Sequence, residues 1–83
     1  MNVVKYPLST EKSVRLMEAE NKLIFVVAKK ATASQIKKNI EDMFKTKVVK
    51  VNTFVTNAGE KRAYVKFAPE TPAIDIATQI GLM

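Results

Sequence analysis

The stretch Val48-Val49-Lys50-Val51-Asn52-Thr53-Phe54-Val55-Thr56-Asn57-Ala58-Gly59-Glu60-Lys61-Arg62-Ala63-Tyr64-Val65-Lys66-Phe67 decides the fold. Two runs rich in β-branched and aromatic residues flank Asn57-Ala58-Gly59-Glu60-Lys61, a composition that turns the chain back on itself. Side chains alternate across a strand, so each run divides into two faces. One face carries Val49, Val51, Thr53, Val55, Ala63, Val65 and Phe67, and the other Lys50, Asn52, Phe54, Thr56, Arg62, Tyr64 and Lys66. A register slip of one residue would mix the two sets. A five-residue loop keeps them apart and predicts the pairs Thr56 with Arg62, Phe54 with Tyr64, and Asn52 with Lys66.

Working outward, Lys22 to Ala28 is apolar on both faces, as in a central strand. Asn2 to Tyr6 is a shorter strand that Pro7 is expected to end. Ser9 or Thr10 can cap a helix that runs to about Glu20, with Val14 and Met17 facing inward and Asn21 breaking it. Thr32 and Gln35 have capping-box spacing, and Ile36, Ile40, Met43 and Phe44 form one stripe behind them. Thr71-Pro72 reads as a cap and first helical position, with Ala73, Ile76, Ala77 and Ile80 following at helical spacing. Gly81 and Leu82 suit a left-handed C-terminal cap. The order β-α-β-α-β-β-α predicts an α+β fold: one small domain over residues 1–83, with a four-stranded antiparallel sheet covered by helices on its apolar face.

The 83 residues carry 14 Lys and Arg against 8 Asp and Glu, a net charge of +6 and a pI near 9.7. All 14 cations and six of the acids fall in residues 1–66, whereas residues 67–83 hold only Glu70 and Asp75. This asymmetry suggests a polyanionic partner for most of the surface and another role for the C-terminal end. With no Cys and no His, disulfides, thiol nucleophiles, the commonest general base and the commonest zinc ligand are absent. The carboxylates are scattered and no Gly-rich phosphate loop exists, so neither an enzyme, a cofactor nor a metal is expected. The longest apolar run, Leu23 to Ala28, is far short of the ~20 residues of a bilayer span, so no membrane insertion is expected. The N-terminus lacks signal-peptide and myristoylation patterns, which points to the cytoplasm.

The polar hairpin face combines cations for phosphates with aromatic rings for unstacked bases. Lys50, Asn52, Arg62, Tyr64 and Lys66 are the expected RNA contacts. Alternatively, Phe54 and Tyr64 form a cross-strand pair that only stabilises the hairpin. Lys29, Lys30, Lys45 and Lys47 flank the second helix and could grip phosphates, or could serve the helix dipole and solubility. Glu11 is a favourable first-turn acid with Arg15 four residues on.

Three segments resemble a known family. Tyr6-Pro7-Leu8-Ser9-Thr10-Glu11-Lys12 is similar to the Pro-x-[ST]-[ST]-Glu-Lys opening of the universal large-subunit ribosomal protein twenty-three family. Val51-Asn52-Thr53 resembles its Val-Asn-Thr strand, with Lys50 where some members have an apolar residue. Lys61-Arg62-Ala63-Tyr64-Val65-Lys66-Phe67 resembles its basic-small-aromatic signature, with Phe67 for the usual Leu. The short 57–61 loop and the absence of a basic N-terminal extension resemble the archaeal type. The resemblance implies a structural constituent of the large ribosomal subunit, bound to 23S-type rRNA beside the polypeptide exit tunnel among other ribosomal proteins. It implies docking of nascent-chain factors such as the signal recognition particle, with Glu11 in the docking region. Lys12, Lys29, Lys30, Lys47 and Lys61 are then expected as peripheral phosphate contacts. Two other readings stay open from the residues: a free-standing RNA-binding regulator and a protein-interaction module.

Overall fold

A computed structural model describes residues 3–8 and 10–80. The elements are β1 (Val4–Pro7), α1 (Glu11–Glu20), β2 (Lys22–Val27), α2 (Ala33–Phe44), β3 (Val48–Val55), β4 (Lys61–Phe67) and α3 (Ala73–Gln79), in the expected order. The four strands form one antiparallel sheet in the spatial order β1-β2-β4-β3.

The central pair explains the core. Leu23, Phe25 and Val27 of β2 lie opposite Val65, Ala63 and Lys61 of β4, so Leu23, Phe25, Ala63 and Val65 share one face. Ile36 and Ile40 of α2, both fully buried, join them in one cluster, and Phe44 tilts against Phe25 with ring centroids 6.5 Å apart. With Phe44 turned inward the stripe centres on Ile40, so Met43 stands aside and is exposed, contrary to expectation. Ala73, Ile76 and Ala77 of α3 and Met17 of α1 extend the cluster.

The second sheet face holds the largest departure from the expected arrangement. Ile24 and Val26 are buried but stand outside that cluster, on the face they share with Tyr64 and Arg62. α1 packs on β2, and its Lys12 lies over the Tyr64 ring. Helices therefore cover both faces, α1 on one and α2 on the other. That is why β2 is apolar throughout.

The hairpin also differs from its expected register. Phe54 pairs with Arg62, Asn52 with Tyr64 and Lys50 with Lys66, a shift of two residues. The loop is Asn57-Ala58-Gly59 alone. Gly59 donates to the Thr56 carbonyl at 2.9 Å, Thr56 donates to the Glu60 carbonyl at 2.8 Å, and Gly59 has φ +82°. A three-residue loop ending in a left-handed glycine gains an extra rung of the ladder. An even shift leaves each residue on its face, so the two sets survive. A bulge between Val48 and Lys50 does break the alternation: Val48 is buried and Val49 is 55% exposed. Toward its end β3 outruns its helix cover, leaving Val55 63% exposed.

The caps follow the local signals except at α3. Thr10 caps α1 in a reciprocal box with Ser13, and Thr32 caps α2 with Gln35, as its spacing predicts. The alternative cap Ser9 and the expected Gly81-Leu82 cap lie outside the described residues. On α1 the inward pair is Ser13 and Met17 rather than Val14 and Met17, because Ser13 turns its hydroxyl back onto Thr10 and is itself buried. α3 starts at Ala73 with Pro72 in the cap position and no cap from Thr71. Its first amide is taken by Asn21 Oδ1 at 2.6 Å. Pro7 does not end pairing either: it lies opposite Phe25, and Leu8 donates to the Ile24 carbonyl at 2.9 Å. An edge strand tolerates the missing N–H.

Candidate nucleic-acid interface

The interface grows from the alternation of β3 and β4. Lys50, Asn52 and Phe54 of β3 stand beside Lys66, Tyr64 and Arg62 of β4 on one face. β4 is flanked on both sides, which holds its three side chains on a rigid surface. Lys50, Asn52 and Lys66 are exposed, whereas Arg62 and Tyr64 are half-buried.

The two rings meet diagonally rather than directly across the ladder. Phe54 and Tyr64 have centroids 5.0 Å apart in an edge-to-face arrangement. Lys12 Nζ lies 5.6 Å from the Tyr64 centroid, within cation–π range. Tyr64 is thus held between Lys12 and Phe54, while Phe54 remains 38% exposed. Phe54 is the more open of the two rings. The structure also brings Lys12, expected at the periphery, to the centre of the face.

Arg62 is partly occupied. Its Nε donates to Glu60 Oε1 at 2.7 Å, and the Tyr6 hydroxyl donates to the other carboxylate oxygen at 3.3 Å. The Arg62 hydrogen bond holds the Glu60 carboxyl below its ordinary range, against some loss of solvent, with the Arg62 charge, Tyr6 and Lys5 adding to the effect. Sequence inspection missed Glu60 and Tyr6 at this site. The spacing of Glu60 and Arg62, two apart where β4 begins, was the available signal. Tyr6 needed the β1–β2 register, which sets it opposite Val26 and so in line with Arg62.

The remaining cations divide. Lys29, Lys30 and Lys47 are exposed in the connections before and after α2. Lys61 points away from the hairpin face, and its ammonium donates to the Ala31 carbonyl at 2.7 Å and that of Lys29 at 3.4 Å. It ties the hairpin to the turn before α2. Glu11 is highly exposed and pairs with Arg15 at 2.8 Å. Among the described residues no group of three His, Cys, Asp or Glu could hold a metal, and no helix is long and apolar enough to cross a membrane.

An exposed basic and aromatic sheet face on this βαβαββα frame narrows the families to consider. The family model for ribosomal protein L23 matches residues 2–76, which takes in all four strands, α1, α2 and the start of α3. The chain belongs to the ribosomal protein L23 family. As an L23 protein it is a large-subunit ribosomal protein and a part of the translation apparatus, in a family of structural proteins rather than enzymes. Association with large-subunit rRNA and with other ribosomal proteins, and a place in the ribosome, come with that membership. The three segments that carried the resemblance lie within the match, on the β1–α1 connection, on β3 and on β4.

Proposed function

We propose that this L23 protein grips large-subunit rRNA beside the polypeptide exit with the β3–β4 face and α1 Lys12. Lys50, Asn52 and Lys66 are the open contacts, Phe54 and Tyr64 the aromatic platform, and Arg62 a cation that RNA would share with Glu60. Lys29, Lys30 and Lys47 serve as outlying phosphate contacts, and Lys61 contributes its charge from its tie to the α2 turn. The observation that carries the reading is the Lys12–Tyr64–Phe54 cluster in the middle of a cationic, rigid surface. The short 57–59 loop supports the archaeal-type variant of the family.

Affinity for an rRNA fragment should fall as salt rises, because bound cations release counterions. Lys50→Glu should make the log–log slope shallower by about one to two, while Glu70→Gln leaves it unchanged. An affinity indifferent to salt would remove the electrostatic reading.

Docking of nascent-chain factors such as the signal recognition particle forms the second half of the proposal, with Glu11 in the contact. The exposure of Glu11 at the first turn of α1 supports it. Glu11→Lys should leave incorporation into large subunits intact and weaken factor binding to those subunits. Equal factor binding by wild-type and variant subunits would leave Glu11 as a first-turn acid only.

A further inference from the structure

Where β2 ends, the sheet leaves a depression of about 270 Å³ between β1 and the hairpin turn. Val26 of β2 lines it, with Lys5 and Tyr6 of β1 on one side and Lys29, Gly59 and Glu60 on the other. It shares Tyr6 and Glu60 with the edge of the basic face. Two local features open it. The register irregularity between Val4 and Tyr6 leaves Lys5 without a partner across the β1–β2 ladder, and Gly59 brings no side chain into the gap. Lys29 Nζ reaches over the turn, 3.5 Å from where a Gly59 Cβ would stand. Lys5 and Lys29 enter no ion pair among the described residues, whereas Lys61 is committed to the carbonyls of Ala31 and Lys29. Tyr6 is 49% exposed.

Glu60 decides what fits. An ionised carboxylate accepts at about four lone-pair positions. Arg62 Nε takes one on Oε1 and the Tyr6 hydroxyl one on Oε2, which fixes the group and leaves acceptor capacity on each oxygen. A bare phosphate would be repelled by this carboxylate, and a basic peptide by Lys5 and Lys29. A nucleotide meets both demands, since it carries donors on its base and negative phosphate a short distance away. Guanine alone among the RNA bases presents two adjacent donors, N1–H and the 2-amino group, on its Watson–Crick edge. We infer that this depression takes an unpaired guanosine of RNA, its Watson–Crick edge on Glu60, its ring against Tyr6 and its flanking phosphates on Lys5 and Lys29. The inference rests on the RNA-binding reading above and adds a base preference to it. Phosphate contacts alone carry none.

The test is an NMR titration of the whole ¹⁵N-labelled chain with uridine hexanucleotides in which one central residue is G, inosine or A. The G oligonucleotide should shift the amides of Tyr6, Gly59 and Glu60 and bind about tenfold more tightly than the A oligonucleotide. Inosine, which keeps N1–H but lacks the 2-amino group, should fall between them. Glu60→Gln should abolish the preference for G over A, while Tyr6→Phe, which keeps the ring, should retain it. Lys5→Ala and Lys29→Ala should weaken all three oligonucleotides alike and each make the salt slope shallower by about one. Free GMP, with no flanking phosphates, should bind more weakly than the G oligonucleotide. Thermal melts check the fold of every variant. Equal affinity for G and A, a preference that survives Glu60→Gln, G-dependent shifts confined to other residues, or GMP binding as tight as the G oligonucleotide would each overturn the inference. Loss of the G preference with salt-dependent shifts intact at Lys50, Asn52 and Tyr64 would overturn it alone. A G preference at Glu60 with no shift at Lys50, Asn52 and Tyr64 would overturn the β3–β4 reading alone.

Discussion

Glu60 stands as a carboxylate on a face otherwise built from cations and rings, held by Arg62 and Tyr6. Because Arg62 depresses its titration, the sign of its pH effect is fixed. Its contribution to the fold is fully present above the unfolded value, about 4.3, and is lost as pH falls through the lower folded value. The Glu60 carboxyl followed by NMR should therefore titrate below the value of an unpaired glutamate, and Arg62→Gln should move the midpoint upward. Bound RNA that draws Arg62 onto a phosphate should raise it too. A midpoint unmoved by Arg62→Gln would show that the pairing does not hold in solution. The same residue-scale geometry ranks the two rings: Tyr64 is already committed to Lys12 and Phe54, so the more open Phe54 carries more of any stacking.

At the scale of the element, the β3–β4 hairpin depends on one backbone conformation. Gly59 sits at φ +82°, where an L side chain is strained. The space is open: a Cβ there would come no closer than 3.5 Å to the flexible end of Lys29. Gly59→Ala should thus cost about 1–2 kcal/mol through the backbone alone, read as a lower urea midpoint with an unchanged m-value. A neutral substitution would mean that the loop relaxes to another turn. Register would then be expected to change with it, since the three-residue loop sets which side chains of β3 oppose Arg62, Tyr64 and Lys66. The other elements hold by their ends: reciprocal boxes at Thr10 and Thr32 satisfy amides that each helix start leaves free.

Across the whole molecule, Asn21 joins elements that are distant in sequence. Its backbone takes a left-handed conformation to end α1, with φ 57°. Its Nδ2 donates to the carbonyls of Phe67, Ala68 and Thr71, and its Oδ1 accepts from the Ala73 amide that starts α3. Asn21→Ala strands four backbone partners and adds left-handed strain, so it should destabilise the fold by about 2–4 kcal/mol. Asn21→Gly should recover only the conformational part, about 1 kcal/mol. Urea unfolding of the two variants separates the terms. Two smaller ties work the same way, with Asn39 Oδ1 accepting from the Val3 and Val4 amides and Glu41 accepting from Val48. They fasten α2 to both edge strands.

Local chemistry alone determined the element order, the helix cap at Thr32, and the division of hairpin residues into an apolar and a basic face. Each depends on neighbours within a few positions, and period-two alternation survives any even register shift. That is why the faces stand although the expected loop was two residues too long. Family membership was legible for the same reason, since its motifs are short and lie within single connections or strands. What tertiary structure decided is every relation across the chain. It put α1 on the face opposite α2, which set Lys12 over Tyr64. It took Arg62 into a pair with Glu60 and Tyr6, turned Lys61 toward the α2 turn, exposed Val49 at a bulge, and capped α3 from Asn21. Such contacts arise from which surfaces bury together, and no periodicity within one segment encodes the side from which a distant segment arrives.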